Sequence, residues 1–372
     1  MPAMLEQITL QPHARDLLLS LIKAQRTTHA YLFSGPSGAG KLDVACAFAQ
    51  ALVCKDQGCG RCIDCKRAQL RNHPDIQIIQ PAGANGYLID QIREVVTSAT
   101  RAPIQAQKKV FILENVEMLG TSAANAFLKT LEEPSPRVVL ILLTAHQESV
   151  LPTILSRCQV VPFRAIPEAS AIAHLVKTTG CSPQLARIAQ NVCENSLELA
   201  QSFCTSDDLQ NMRTTMLQAL DSLQTSDAWD VLKLSKTLAS GGESLIEQLQ
   251  EQQAEELEVA GDFLARGAQK QLEEAHKRAI TAKKRQLFHL RCNVVSSWLR
   301  DVLLLLGGCS SIMVNTDVAP GIRAAAASTT ETGVLCACAC VERCRTSLDY
   351  NVSLQLCLDT MLLEIKEGLY GL

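Results

Sequence analysis

One stretch constrains this chain more than any other. Gly35-Pro36-Ser37-Gly38-Ala39-Gly40-Lys41 fits the pattern G-x-x-x-x-G-K, between a strand-like run (residues 30–33) and a helical one. Glycines there let backbone N–H groups curl around phosphate oxygens at the positive end of a helix, and Lys41 adds a point charge. A plain Gly-rich turn is the alternative reading of the same residues. The next residue is Leu42, where the pattern needs a Ser or Thr hydroxyl to ligate magnesium. The loop therefore predicts an α/β nucleotide-binding fold but not an intact magnesium site.

The flanking periodicity agrees. Residues 110–113 and 138–143 are wholly apolar and read as central strands covered on both faces. Residues 76–79 and 160–163 read as shorter strands, and residues 10–27, 88–99 and 124–131 carry helical spacing, the last stopped by Pro134. Alternation of this kind predicts a parallel sheet with helices on both faces over residues 1–165. Beyond that, strand signals vanish and helical periodicity runs to the end, with breaks near Gly180, Gly241-Gly242 and Gly307-Gly308. A chain of 372 residues has room for two or three domains. A division into 1–165, a small helical domain over 166–240 and a C-terminal helical domain over 241–372 follows. Residues 243–286, rich in Glu, Gln, Lys and Ala, read as long solvated helices.

Composition narrows the function. The longest apolar runs fall far short of the roughly 20 residues of a membrane helix, and charges occupy the N-terminal stretch where an export signal would be apolar. A cytoplasmic protein without membrane contact is expected. A formal net charge of −3 argues against a protein that grips nucleic acid by bulk electrostatics.

Sixteen cysteines without an export signal suggest thiols or metal ligands rather than a disulfide frame. Cys54, Cys59, Cys62 and Cys65 form C-x4-C-x2-C-x2-C, spacing that suits a tetrahedral structural Zn2+, with Gly58 and Gly60 for the tight turns. Reduced thiols without metal, or a redox pair, is the other reading; His73 is a reserve ligand. Cys336, Cys338, Cys340 and Cys344 are different. At helical spacing Cys336, Cys340 and Cys344 share one face and read as core.

Further site candidates sit at strand ends. Glu114 follows the 110–113 strand, where an acid would hold magnesium, but the next residue, Asn115, cannot act as a base. Thr144 ends the next strand and is placed to sense a phosphate, or is simply a satisfied hydroxyl. Arg157 follows a short helix within Ser156-Arg157-Cys158; a guanidinium there would suit a developing phosphoryl charge.

With these elements in order, the chain resembles the bacterial clamp-loader family of AAA+ proteins, most closely its delta-prime branch in DNA polymerase III. The matching stretches are His29-Ala30-Tyr31-Leu32-Phe33-Ser34-Gly35-Pro36, the Cys59–Cys65 knuckle, His73-Pro74-Asp75, the run from Ser122 to Pro134, and Ser156-Arg157-Cys158. Trp298-Leu299-Arg300-Asp301 resembles the family's C-terminal collar. The resemblance implies a zinc module at 54–65, a helical lid and an all-α collar. It implies a hetero-pentamer with gamma/tau and delta subunits, acting on a sliding clamp and primed DNA within a DNA-directed DNA polymerase holoenzyme (a nucleotidyltransferase). It also makes Arg157 a finger reaching the ATP site of a neighbour, with Gly35, Gly38, Gly40, Lys41, Glu114 and Thr144 as a vestigial nucleotide site. Asn195-Ser196-Leu197-Glu198 resembles the ATPase sensor-2 segment, with Glu198 where a phosphate-contacting Arg is expected. Magnesium is not expected, and nucleotide would be held passively if at all. The alternatives are an ATP-hydrolysing gamma/tau-type subunit, opposed by Leu42 and Asn115, and a zinc-dependent nucleic-acid-binding module with a relic loop.

Overall fold

The computed structural model describes residues 4–82, 86–261, 266–349 and 352–371. It divides into two compact units, residues 1–171 with 195–197, and residues 172–194 with 198–372.

The first unit is built on a sheet of five strands: β1 (Ala30–Ser34), β2 (Ile76–Ile79), β3 (Lys109–Leu113), β4 (Val138–Thr144) and β5 (Gln159–Pro162). Their order is β2-β3-β4-β1-β5, and each pairing is parallel. Parallel neighbours cannot be joined by a tight turn, so each connection must cross over a face of the sheet, and helices supply the crossovers. These are α2 (Lys41–Val53), α3 (Ile63–Gln69), α4 (Ile89–Thr100), α5 (Thr121–Glu132) and α6 (Pro152–Leu155), preceded by α1 (Pro12–Lys23). Every residue of β3 and β4 is buried. Their side chains alternate between two cores. Val110, Ile112, Val139 and Ile141 pack against α1 and α2, whereas Phe111, Leu113, Leu140 and Leu142 pack against α4 and α5. That two-sided burial is why these strands read as continuous apolar runs.

Buried polar side chains fix the loops. Asp75, fully buried before β2, accepts the backbone N–H groups of Ile104 (2.6 Å), Gln105 (2.9 Å) and Ala106 (2.8 Å). His73 accepts the N–H of Asp75 on Nδ1 (3.1 Å), and its Nε2 lies 3.4 Å from Asp64 on α3. The His-Pro-Asp triplet thus ties α3 to the start of β2. His73 is not among the metal-ligand cluster, so its reserve-ligand reading is not supported.

Among the described residues the second unit contains helices and no strand: α7 (Glu168–Thr179, which begins in the first unit), α8 (Pro183–Val192), α9 (Leu197–Thr205, whose first residue belongs to the first unit), α10 (Asp207–Ser222), α11 (Ala228–Ser240), α12 (Glu243–Gly261), α13 (Arg266–Leu306), α14 (Ala319–Ser328), α15 (Glu331–Asp349) and α16 (Leu354–Tyr370). The breaks at Gly180, Gly241 and Gly307 all fall at helix ends. The polar 243–286 segment is α12 and the first half of α13, with 262–265 outside the described residues. No single helix among the described residues is long and apolar enough to cross a membrane.

A buried polar network is built on Asp301, the last residue of Trp298-Leu299-Arg300-Asp301. Asp301, with no exposed surface, accepts the N–H groups of Val314 (3.1 Å) and Asn315 (2.7 Å) and the Asn315 side-chain amide (2.9 Å). Arg213 on α10 then donates to the side-chain amide oxygen of Asn315 (2.8 Å) and to both oxygens of Asp317. Two helices and the 313–318 turn are locked by charge-assisted bonds, fully buried at Asp301 and Asn315 and partly open to solvent at Asp317.

On α15 the sequence reading needs one correction. Cys340 and Cys344 are buried, donating to the carbonyls of Met361 (3.8 Å) and Cys357 (3.5 Å) of α16, but Cys336 is exposed. The buried stripe is set by Val334, Ala337, Val341, Cys344 and Leu348. At about 100° per residue, Cys336 lies roughly a quarter-turn or more from its centre.

Asp301→Ala would strand three buried donors. We expect it to cost on the order of 3 kcal/mol, read as a lower denaturant midpoint for the helical unit. Asp75 supplies a pH test. Burial alone would push its carboxyl up, but the N–H groups of Ala106, Gln105 and Ile104 outweigh burial and hold it below the ordinary value. Its stabilisation is therefore complete above the unfolded carboxyl value, near 4, and is lost as pH falls through the lower folded value. Asp75→Asn should be less stable at neutral pH, with the gap to the native chain closing in acid; a constant gap would contradict this.

Candidate functional site

The phosphate loop leaves β1 between β4 and β5. Ser34 pairs with Thr144 on one side and Pro162 on the other. Gly35 donates its N–H to the Thr144 carbonyl (3.3 Å), and Phe163 donates to Ser34 (2.7 Å). A Cβ on Gly35 would lie 2.3 Å from the Phe163 carbonyl oxygen, so only glycine fits. Gly40 adopts φ +72° as the cap of α2, a conformation costly to other residues.

Lys41 begins α2, and its ammonium turns back into its own loop, donating to the carbonyls of Gly35 (2.5 Å) and Pro36 (2.8 Å). Burial pulls this ammonium below its ordinary value, opposed by the nearby Glu117 carboxylate. Leu42 packs against the apolar core on α1 and α2, where a magnesium-binding hydroxyl would otherwise stand. Against Gly38 lies the backbone carbonyl of Asn195, 2.3 Å from where a Cβ would be. Glu194 and Asn195 both have positive φ, 50° and 64°. Two successive non-glycine residues in the left-handed region store backbone strain at the point where the chain meets the loop.

At the other strand ends, the candidate residues are engaged by protein groups. The Glu114 carboxylate accepts from Gln80 of the segment after β2 (2.9 Å), and its carbonyl accepts from the Tyr87 hydroxyl (2.5 Å). Asn115 is exposed and left-handed, at φ 52°. Thr144 is buried, and its hydroxyl accepts the N–H of His146 (3.1 Å). Glu198 stands in the first turn of α9.

Two residues at this site escaped the sequence reading. Glu117, on the turn after β3, accepts the N–H of Ala145 (3.3 Å) with one oxygen, while the other is buried without a partner among the described residues. It, rather than Glu114, is the acid that bears on Lys41. Gln11, buried ahead of α1, donates to the carbonyls of Ala39 (3.0 Å) and Arg164 (2.7 Å) and so pins the phosphate loop to the segment after β5. Neither lies in a recognisable motif.

Arg157 stands apart from that loop, on the turn after α6. Its Nη1 donates to the Thr153 carbonyl (2.8 Å) and the Ser156 hydroxyl (3.2 Å), and its side chain is 34% exposed.

The four cysteines converge. Cys54, at the end of α2, lies 3.7 Å from both Cys59 and Cys62, and Cys59 lies 4.0 Å from Cys65, sulfur to sulfur. All four sulfurs are within 4.8 Å of one another. Thiolates at about 2.3 Å from a tetrahedral zinc would be about 3.8 Å apart, so the group fits a metal of that size. Gly58 and Gly60 have φ of 96° and 72°, which close the knuckle. Backbone N–H groups of Arg61 and Cys62 hold the Cys59 thiol down to about 6, while burial pushes Cys65 up. The buried Gln50 of α2 donates to the Cys65 carbonyl (3.1 Å), fastening the knuckle to the helix that follows the phosphate loop. Cys54 joins the group together with the other three.

Comparison with known proteins bears on both units. The family described as "DNA polymerase III, delta subunit" matches residues 10–167, and that described as "DNA polymerase III, delta subunit, C terminal" matches residues 264–367. DNA polymerase III subunit delta' of Bacillus subtilis is 33% identical over 59% of this chain and 66% of its own length. The delta' subunit of Pseudomonas aeruginosa is 37% identical over 43% of this chain and 55% of its own. Subunit tau of Bacillus subtilis is 33% identical over 65% of this chain and 41% of its own. The chain thus spans between 41% and 66% of these relatives. With the sheet order, the phosphate loop and both family matches in agreement, the chain belongs to the family of DNA polymerase III clamp-loader subunits.

Proposed function

We propose that this chain is the delta-prime, or stator, subunit of a bacterial clamp loader. It takes its place in a hetero-pentamer with gamma/tau-type and delta subunits. The assembly opens a sliding clamp and places it on primed DNA at the expense of ATP bound by the neighbours. In this reading residues 166–240 form the lid, residues 241–372 the collar that holds the ring, and Arg157 reaches the ATP of the adjoining gamma/tau subunit. Localisation is cytoplasmic.

The observation that carries the proposal is the state of the chain's own phosphate loop. Leu42 packs, partly buried, against the core, Lys41 is turned onto its own loop, and a carbonyl lies against Gly38. A carbonyl oxygen carries partial negative charge and opposes a phosphate approaching that point. Asn115 has no basic group to activate water. Arg157, by contrast, is partly exposed and its terminal nitrogens are fixed, as a group that acts on a neighbour requires. The likeness to tau favours the ATPase alternative, but Leu42 and Asn115 weigh against it.

Turnover of ATP should be absent from the chain alone and present in the mixture with a gamma/tau-type partner. Arg157→Ala should lower turnover at the one site it faces by roughly a thousandfold. Intrinsic turnover abolished by Lys41→Ala would overturn the stator reading, and partner turnover indifferent to Arg157→Ala would overturn the finger.

We also assign Zn2+ as the structural occupant of Cys54, Cys59, Cys62 and Cys65. The ion would close the knuckle and supply folding free energy locally. Elemental analysis should find one zinc per chain. Cys59→Ser should lower both the metal content and the thermal midpoint. Equal stability with and without metal would remove the structural role.

A further inference from the structure

Glu132 breaks a local rule. It is the last residue of α5, followed by Glu133, so two carboxylates stand at the negative end of a helix dipole where cations are favoured. Where a local preference is violated, a compensating contact or a function is expected. The contact is present: a Glu132 carboxylate oxygen lies 2.7 Å from Nη2 of Arg157.

The geometry around Arg157 says what that contact does. Both donors of Nη1 are directed by its own short helix and turn, to Thr153 and Ser156. These contacts hold the rigid guanidinium at one end only. Glu132 comes from a different element and meets Nη2, so the guanidinium plane is set from two sides. The ion pair is one oxygen against one nitrogen, not the two-point clasp by which a carboxylate locks an arginine. The side chains are 34% and 48% exposed, and water weakens their attraction, so the guanidinium keeps most of its charge for another anion. An arrangement that fixes orientation without neutralising charge suits presentation of the guanidinium rather than its storage.

We propose that Glu132 is a positioning residue for Arg157, holding the guanidinium in the orientation in which it meets the neighbour's nucleotide. The proposal rests on the trans-acting reading of Arg157. Its gain is entropic, because an arginine already held in place loses less freedom when the transferring phosphoryl group arrives.

The experiment uses the full chain reconstituted with its gamma/tau-type partner and ATP. Steady-state turnover is compared for the native chain, Glu132→Ala, Glu132→Gln, Arg157→Ala and Glu132→Ala/Arg157→Ala. Glu132→Ala should lower kcat at the site Arg157 faces roughly 3–10-fold with KM for ATP little changed. Glu132→Gln, which keeps an acceptor of the same shape, should recover part of the loss. In the Arg157→Ala background Glu132→Ala should have no further effect. A merely structural role would lower turnover equally in both backgrounds, and that outcome overturns the proposal. So does unchanged or increased turnover in Glu132→Ala while Arg157→Ala still impairs it; the finger then stands and its positioning by Glu132 does not. If Arg157→Ala has no effect, the finger reading itself fails and this proposal falls with it. Should Glu132→Ala fail to assemble, Glu132→Gln carries the same comparison.

Discussion

Parallel pairing of five strands fixes much of the first unit. Because every strand points the same way, every loop that leaves its C-terminal end emerges on one edge of the sheet, and helices must carry the chain back across the faces. Crossovers of this kind demand helices with one apolar face each, and they bring the ends of β1, β3 and β4 side by side. Residues separated by more than a hundred positions become neighbours there: Gly35 meets Thr144, and Ser34 meets Phe163. The phosphate loop, Glu114, Glu117 and Thr144 owe their proximity to the hydrogen-bond register of the central strands. Placing the loop between β4 and β5 also explains why a tight contact with Phe163 is possible at all.

The same architecture separates two kinds of charge. Lys41 is held inward, with its own loop carbonyls and Glu117 as company. Arg157 is held outward on a short turn, steadied by α5. Lys41 is partly desolvated and shared between two carbonyls of its own loop, whereas Arg157 is about a third exposed and stays paired with groups of its own turn and with Glu132. The division matches what a subunit needs if it completes another's catalytic site instead of operating one.

Much of this was legible in the sequence. The runs 110–113 and 138–143 announced themselves as central strands because both faces are covered and no polar residue interrupts them. Pro134 and the glycines at 180, 241 and 307 marked helix ends because backbone chemistry alone decides them. The cysteine knuckle was readable because metal spacing is local. What was not readable depends on distant partners. Glu117 is an acid in an ordinary turn until Ala145 and Lys41 are brought to it. Gln11 precedes a helix and gains its role only when Ala39 and Arg164 converge on it. Cys336 was misplaced for a subtler reason: three cysteines at i, i+4 and i+8 sweep 80° of arc, and the buried stripe of α15 is centred to one side of them. Periodicity locates a face, but the neighbour decides where its edge falls.

The tight approach of Gly35 to Phe163 carries a lesson about signatures. A side chain there would collide with the main chain at the exit of β5, so the glycine is demanded by sheet closure whether or not a phosphate ever arrives. Selection for foldability alone would then preserve the most recognisable letter of the motif long after its chemistry had ceased. In this chain the sheet itself demands Gly35, whereas nothing in the fold requires a hydroxyl at position 42, so position 42 is the one that speaks to magnesium chemistry.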